Sequence, residues 1–250
     1  MEDIGTLSSV LEKRSELLRT LAEGPRTQRA LRDELGVSRS TVYKSLRELE
    51  AEGLVAEGTD RYRLTPFGRL AWRRHNDYRV RLARLDRTRE LLSAIPESLR
   101  LPLSLFEQGR IVFPTRSNPE RPLNRMSELG ERADRLRCVS PAGIPRYLSN
   151  IHDRVEADEQ TATLVVEPDA LHQLEAGYDE FEAATAADGL RIRVVEERLS
   201  TGVVLFDDDA VGLFVYEGGA LIGSVFGSTP GAVAWGESLF KDIDARSTRV

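Results

Sequence analysis

The stretch that decides the fold of this chain lies between residues 36 and 54. It reads Gly36-Val37-Ser38-Arg39-Ser40-Thr41-Val42-Tyr43-Lys44-Ser45-Leu46-Arg47-Glu48-Leu49-Glu50-Ala51-Glu52-Gly53-Leu54. Gly36 is suited to a left-handed residue that ends one helix, and Ser38 is suited to cap the next. Apolar residues then recur at intervals of four and three, at Val42, Leu46 and Leu49. This pattern predicts a tight turn followed by an amphipathic helix.

The polar side of that helix is more informative than its core stripe. At about 100° per residue, one face spanning about 140° carries Arg39, Ser40, Tyr43, Lys44 and Arg47. Cations, hydroxyls and a flat ring are what a helix needs to contact phosphates and base edges in a major groove. A merely solvated face would carry mixed signs, whereas the nearby acids Glu48, Glu50 and Glu52 come after the basic block.

The flanking residues predict the rest of a three-helix unit with a hairpin. One helix is expected from about Thr6 to Leu21, and a second begins at a Thr27 cap. Leu54-Val55-Ala56 and Arg61-Tyr62-Arg63-Leu64 bracket a Gly-containing turn, which predicts a two-stranded hairpin. Its two arginines alternate with Tyr62 and Leu64 and therefore share one exposed face.

This succession from Thr27 to Leu64 resembles the winged helix-turn-helix domain of archaeal and bacterial transcription regulators, with the hairpin as the wing. The resemblance implies binding to double-stranded DNA, and the main alternative is a winged helix that docks on other proteins. The predicted DNA-binding residues are Thr27, Gln28, Ser38, Arg39, Ser40, Thr41, Tyr43, Lys44, Arg47, Arg61 and Arg63.

A long basic helix is predicted to follow, from Thr65-Pro66 to about Ser93. Residues at alternating four and three spacing form a stripe typical of a two-helix seam: Ala71, His75, Tyr78, Leu82, Leu85, Arg89 and Leu92. Two interpretations stay open, because the stripe suits either a homodimer interface or packing on the chain's own winged helix. A homodimer itself is expected, since two recognition helices must meet two half-sites about 34 Å apart.

The C-terminal half alternates short apolar runs with helical stretches, which predicts an α/β domain. Strands are expected near residues 110–113, 136–139, 163–166, 190–195, 203–206, 211–216 and 220–226, and helices near 144–155, 171–187 and 230–245. This half resembles the sensor domain of archaeal FilR1-like and TrmB-related regulators, best seen from Ser200 to Leu213 and in Trp235-Gly236-Glu237-Ser238-Leu239-Phe240. The resemblance implies a phospholipase D-like fold and a small-molecule effector.

Catalysis of the phospholipase D kind needs a His-x-Lys-x4-Asp element, and here Ser200 and Gly202 stand at the His and Lys positions relative to Asp207. We therefore predict no enzyme activity, with a phospholipase D-like hydrolase as the weaker alternative. No cofactor or metal is predicted, and the run Asp207-Asp208-Asp209 is interpreted as a turn between strands. Candidate effector-binding residues near strand ends are Ser140, Arg146, Ser200 and Thr201.

The amino-acid composition indicates which part of the chain can bind DNA and in which compartment the protein is expected. Residues 1–90 hold 19 Lys and Arg against 15 Asp and Glu, whereas residues 91–250 hold 16 against 26, so only the first part suits phosphate. No apolar run is long enough for a membrane span, no secretion signal is evident, and the single cysteine, Cys138, is expected to be a small buried hydrophobe. A cytoplasmic protein is expected.

The expected fold class is α+β. Its expected domains are a winged helix at residues 1–65, a linking and dimerisation helix at 66–95, and an α/β sensor domain at 96–250.

Overall fold

A computed structural model describes residues 4–250 of the chain. The contacts divide the chain into two compact units, the first ending at Ala83 and the second running from Arg84 to Val250. The division falls inside the segment 66–95 that was predicted to link two domains. No helix in the described part of the chain is both long enough and apolar enough to cross a membrane.

The first unit contains the predicted helices and hairpin, with the first predicted helix divided into two. Its elements are α1 (Ile4–Lys13), α2 (Ser15–Ala22), α3 (Gln28–Leu35), α4 (Arg39–Ala51), β1 (Val55–Glu57), β2 (Tyr62–Leu64) and the greater part of α5 (Pro66–Arg87). The two strands pair antiparallel, with Val55 opposite Leu64 and Glu57 opposite Tyr62. The predicted wing is therefore confirmed, with strand bounds shifted by one residue.

The prediction of a single helix from Thr6 to Leu21 is wrong at Arg14. That residue has φ −108° and ψ 18°, so the helix breaks there and restarts at Ser15. The Arg14 guanidinium instead binds Glu48 of α4. Arg14 therefore makes an ion pair with another helix, although its position in the sequence fits the stripe of one continuous helix.

Buried leucines and valines of α1, α2, α3, α4 and both strands form one core, which Trp72 of α5 completes. Gly68 allows α5 to approach this core closely, because a Cβ at that position would lie 1.8 Å from the carbonyl oxygen of Leu54. The first turn of α5 is therefore fastened against the start of the wing.

The second unit is a sheet of eight strands with helices. Its elements after α5 are α6 (Arg89–Ser93), α7 (Leu103–Gln108), β3 (Arg110–Val112), α8 (Arg121–Gly130), β4 (Arg135–Ser140), α9 (Pro145–Glu156), β5 (Thr161–Val166), α10 (Pro168–Gly177), α11 (Phe181–Ala186), β6 (Leu190–Val194), β7 (Thr201–Phe206), β8 (Ala210–Glu217), β9 (Ala220–Gly227), α12 (Pro230–Asp244) and β10 (Thr248–Arg249). All seven strands predicted from the sequence are confirmed.

The sheet order is β10-β6-β5-β4-β7-β8-β9-β3. Strands β4, β5 and β6 are parallel, as βαβ connections require, whereas β7, β8 and β9 form an antiparallel meander. Strand β4 pairs with β7 antiparallel, so the sheet changes from parallel to antiparallel between these two strands.

Both faces of this sheet are buried, because successive strand residues alternate between two cores. Val203 and Leu205 face a core completed by α7 and α12, while Val204 and Phe206 face a second core that α8, α9 and α10 help to cover. Gly236 lets α12 pack tightly, since a Cβ there would lie 2.5 Å from Val211 Cγ2.

The sequence predictions for the second unit need three corrections. The basic helix is not continuous to Ser93, because the buried Thr88 donates its hydroxyl to the Leu85 carbonyl at 2.7 Å and separates α5 from α6. The helix predicted at 171–187 starts earlier, at Pro168, and is broken between Gly177 and Phe181. Short elements escaped prediction altogether: α7, α8 and β10.

Candidate nucleic-acid interface and effector cavity

The turn before α4 is held by the caps that the sequence predicted. Thr27 accepts a hydrogen bond from the Ala30 N–H at 3.1 Å, and Gly36 ends α3 with φ 65°. Ser38 accepts from the Thr41 N–H at 3.1 Å, and its hydroxyl also lies 2.8 Å from that of Thr41. Thr27, Ser38 and Thr41 thereby orient the two helices through local bonds.

The inner side of α4 anchors the helix. Val42, Leu46 and Leu49 are each at most 1 % exposed in the core of the first unit. Glu48 adds an ionic contact, accepting from Lys13 Nζ at 3.0 Å and from Arg14 Nε at 2.8 Å. The position of the opposite face is therefore set by buried contacts.

The hydrogen bond from Lys13, followed by the bond from Arg14, holds the pKa of Glu48 below its usual value. Because the pKa is depressed in the folded state, this contribution is present above pH about 4.5 and is lost as pH falls through the folded value. We expect Glu48→Gln to lower the free energy of unfolding by about 1 kcal/mol at pH 7. The difference in the free energy of unfolding between the Glu48→Gln and parent chains should become smaller as the pH falls.

Denaturant unfolding followed by fluorescence measures this effect, because each unit holds one of the two tryptophans, Trp72 and Trp235. In a Trp235→Phe background, Trp72 reports on the first unit alone. Glu52→Gln is the control, since the Glu52 carboxylate has no ion pair among residues 4–250. Equal stability of the Glu48→Gln and parent chains at pH 7 would remove the proposed anchoring role.

The outer side of α4 is exposed along its length, and it carries the predicted set Arg39, Ser40, Thr41, Tyr43, Lys44 and Arg47. The Tyr43 ring is about half exposed, at 51 %. Arg47 stacks its guanidinium 5.4 Å from the centre of that ring and donates to the Tyr43 hydroxyl at 3.3 Å and to Glu50 at 3.3 Å. The bond with Tyr43 and the charge of Glu50 raise the pKa of Arg47.

Within the described chain, neither Arg39 nor Lys44 has an ion-pair partner. Two cations thus remain uncommitted on this face, and a third is held side-on against an aromatic ring. Gln28 lies half-buried at the start of α3. The structure therefore brings the predicted helix residues together at one surface.

The wing presents the two predicted arginines, Arg61 and Arg63, on its exposed side, whereas Tyr62 and Leu64 are buried. The Arg61 guanidinium lies 3.8 Å from Asp60. Sequence reasoning missed the contact that anchors the wing: Arg26 pairs its backbone with Tyr62, donating at 3.1 Å and accepting at 2.8 Å. Because Arg26 precedes the Thr27 cap, the wing and α3 are bonded to one another.

Of the four candidate effector residues, only Ser140 lines the apolar cavity of the second unit, although the register of β4 with β7 places Ser140 and Thr201 close to one another. Ser140 lies at the end of β4 on the wall of that cavity, and its hydroxyl bonds both backbone groups of Ala142. Arg146 is exposed on α9, where it pairs with Glu120 at 2.8 Å. Ser200 and Thr201 lie at the start of β7 and do not line the cavity.

The cavity itself was not foreseen. It has a volume of ≈ 80 Å³ and lies between the sheet and helices α8, α9 and α10. Cys138 of β4 lines it and is partly accessible there, so the expectation of a fully buried residue is corrected. Burial nevertheless raises the pKa of the Cys138 thiol to about 12, which keeps it protonated.

Asp207 to Asp209 form the predicted turn between β7 and β8, with Asp207 in a left-handed conformation. Asp207 accepts from the Arg135 N–H at 2.8 Å, and Asp208 pairs with Arg135 and with Arg137. Among residues 4–250 no group of three or more His, Cys, Asp or Glu is arranged to hold a metal ion. The acidic run therefore makes structural contacts to β4.

Two family models match the chain. One, described as the middle domain of the methanogenesis regulatory protein FilR1, matches residues 119–246, and one described as the HVO_A0261 N-terminal domain matches residues 1–87. A search of curated proteins found no match.

Similar solved structures include TrmBL2, described as an archaeal chromatin protein with a novel mode of DNA binding, at 16% identity over 99% of this chain and 100% of that one, with TM-score 0.47. NucT from Helicobacter pylori is 9% identical over 57% of this chain and 100% of that one, with TM-score 0.46. The transcriptional regulator BldR from Sulfolobus solfataricus is 26% identical over 33% and 61%, with TM-score 0.26.

A winged helix with an exposed cationic helix, followed by an α/β unit that matches the middle domain of a regulatory protein, defines a DNA-binding transcription regulator. Because the FilR1 model covers just over half of the sequence, the chain belongs to the FilR1 family, as its residues suggested.

Proposed function

We propose that the chain binds specific DNA sites as a homodimer and that a small molecule in its second unit modulates this binding. The observation that carries the proposal is the exposed face of α4, which combines uncommitted cations with hydroxyls and Tyr43 on a helix fixed by its buried side. Such a face suits the major groove, where base edges present both donors and acceptors.

We divide the proposed DNA-binding residues into those that contact base edges and those that contact phosphates. We assign Arg39, Tyr43, Lys44 and Arg47 to base edges and nearby phosphates, since they share the outer face of α4. Arg61 and Arg63 are assigned to backbone phosphate, because a wing flanks the recognition helix and its guanidinium groups alternate on one side of β2. Thr27 and Gln28 at the start of α3, with Ser38 before α4, are assigned to phosphates beside the groove.

The binding experiment uses the full chain and sheared genomic DNA from its own source. Fragments retained by the chain are sequenced, and the best is titrated against a scrambled duplex of equal length at two salt concentrations. We expect a specific site that binds at least a hundredfold more tightly than the scrambled duplex. Failure to bind any fragment would instead favour the alternative of a winged helix that docks on proteins, and equal affinity for all fragments would contradict the proposed sequence specificity.

An exposed apolar face of α5 supports the homodimer. Four large side chains are each at least 49 % exposed and lie within about 120° of one another around the helix, namely Phe67, Leu70, Tyr78 and Leu82. Arg74 and Arg81 share this face, but their long stems can cover apolar surface while the charges stay in water. By contrast, His75 of the predicted seam lies 3.0 Å from Glu12, and Leu85 and Leu92 pack in the second unit's core. The residues of the predicted stripe therefore pack against different parts of the chain and do not form one seam.

Leu82→Glu should convert the homodimer to a monomer and weaken operator binding at least tenfold, because a charge on this face would be buried on association and one half-site would be lost. Val80→Glu is the matched control, since Val80 is 51 % exposed on the opposite side of the same helix. Light scattering after size-exclusion chromatography gives the mass. A Leu82→Glu chain that stays dimeric would rule out this interface.

Effector control requires two dimer geometries that differ in affinity for the ligand. We propose that the ligand acts from the second unit, whose acidic composition makes it a poor surface for DNA.

A further inference from the structure

The cavity in the second unit is built from one face of the sheet and three helices. Strands β4, β5, β7 and β8 form its floor, and α8, α9 and α10 cover it. Its volume of ≈ 80 Å³ is several times the about 15 Å³ that one water molecule needs. The space lies at the end of the parallel strands β4 and β5, beside the change to the antiparallel meander, where α/β sheets commonly bind ligands.

The lining is almost entirely apolar. Leucine, isoleucine, valine, methionine and phenylalanine side chains make up most of it, and among the described residues that line it there is no Asp, Glu, Lys, Arg or His. An ionised ligand would lose its hydration and find no counter-charge here. Phosphates, nucleotides and carboxylates are thereby excluded, and a sugar would leave most of its hydroxyls without partners.

Polar atoms are confined to a few side chains. Among the described residues, the polar side chains that line the cavity are those of Tyr216 of β8, Tyr147 of α9, Ser140 and Cys138. Burial raises the pKa of Tyr216 to about 12, so its hydroxyl stays neutral and can donate a hydrogen bond. Since the Ser140 hydroxyl is already bonded to the backbone of Ala142 and the Tyr147 hydroxyl accepts from Arg146 at 2.8 Å, the Tyr216 hydroxyl is the group best placed to meet one polar atom of a ligand.

Gly202 of β7 lines the cavity and is closely surrounded by β4 and β8. A Cβ at that position would lie 3.2 Å from the Val139 carbonyl oxygen and 3.5 Å from Phe214 Cβ. Gly202 stands where the phospholipase D element has its lysine, so the missing catalytic side chain coincides with a lining position of the cavity. At this position the chain therefore has space for a ligand and lacks a side chain for phosphate chemistry.

A second cavity of ≈ 50 Å³ adjoins the first. The two share Met126, Leu136, Tyr147 and Ile151, and the second is also lined by polar side chains of α8 and α9, including Asn150. The shared wall lies between these two helices. The two cavities therefore lie side by side, and the second one is the more polar.

We propose that this cavity binds one small, neutral, mainly apolar molecule of about the size of a phenol, with a single hydroxyl directed at Tyr216. Resting on the proposed function, we further infer that such a molecule is the effector that alters DNA affinity.

Thermal unfolding of the full chain with phenol or toluene tests the binding, with benzoate and glucose as charged and polyhydroxylated controls. We expect phenol and toluene to raise Tm with concentration and the two controls to leave it unchanged. Tyr216→Phe should weaken phenol binding about fivefold and leave toluene binding intact, because only phenol loses a hydrogen bond. Cys138→Leu should fill the cavity and abolish both shifts while keeping the circular dichroism spectrum of the parent.

No rise in Tm with either probe, or an undiminished rise in the folded Cys138→Leu chain, would overturn the cavity proposal. The same titrations with the selected DNA fragment test the effector role, which fails if phenol raises Tm but leaves DNA affinity unchanged. Absence of any DNA binding would contradict the proposed function alone, since the Tm shift is measured without DNA.

Discussion

Replacing Arg47 by alanine is expected to relax sequence preference far more than it lowers overall affinity. In the free protein the Arg47 guanidinium bonds to Tyr43 and Glu50. These contacts are exposed and therefore weak, so DNA can replace them. A bidentate contact to a guanine edge contributes about 1–3 kcal/mol of discrimination, so the ratio of specific to nonspecific affinity should fall about 5- to 150-fold.

Arg61→Ala is the matched comparison, because it removes a cation from the wing and leaves α4 intact. Its affinity should fall by a similar factor on all sequences, and the slope of log K against log salt should decrease by about one. Competition titrations with the selected and scrambled duplexes measure both chains. If Arg61→Ala relaxed specificity and Arg47→Ala weakened all sequences alike, the roles assigned to helix and wing would be reversed.

Gly68→Ala is expected to have the largest effect on stability. The added Cβ would lie 1.8 Å from the Leu54 carbonyl oxygen and 2.7 Å from its carbon, both of which are backbone atoms that cannot rotate away. Separating α5 from the wing would also stretch the bonds from Thr65 to Gly53 and Leu54. We expect the free energy of unfolding of the first unit to fall by about 3 kcal/mol or more.

Trp72 fluorescence in the Trp235→Phe background follows this loss during denaturant unfolding. Arg69→Ala is the control, because Arg69 is exposed on the same turn of α5 and has no ion pair among the described residues. That substitution should leave the free energy of unfolding nearly unchanged. Coincident unfolding curves for the Gly68→Ala chain and its parent would contradict the close approach of α5 to Leu54.

The sequence predicted the first unit well because its signals are local. Caps at Thr27 and Ser38 and the left-handed Gly36 each act within three or four residues of the chain. The break at Arg14 could not be predicted in this way, since it depends on Glu48, which lies 34 residues away. Thr88 fits the helical spacing equally well, and only its bond to the Leu85 carbonyl shows the end of α5.

The second unit shows a different limit. Apolar runs identified seven strands, but their order depends on pairing between distant segments that no short pattern specifies. The cavity could not be predicted from the sequence either. Leu164, Val204 and Phe214 look like ordinary core residues there, and only their packing in the fold shows that they leave a space. Ser140 was proposed because it follows the predicted strand 136–139, whereas Tyr216 lies within the predicted strand 211–216 and was not proposed.

Site-directed DNA cleavage can show whether the exposed face of α4 enters a DNA groove. Cys138, the single cysteine, is replaced by alanine, and a cysteine at Ser40 or, as control, at Ser127 of α8 carries an iron chelate. We predict cleavage confined to the selected site from position 40 and none from position 127. Cleavage absent from position 40 in a chain that still binds the fragment would contradict the account.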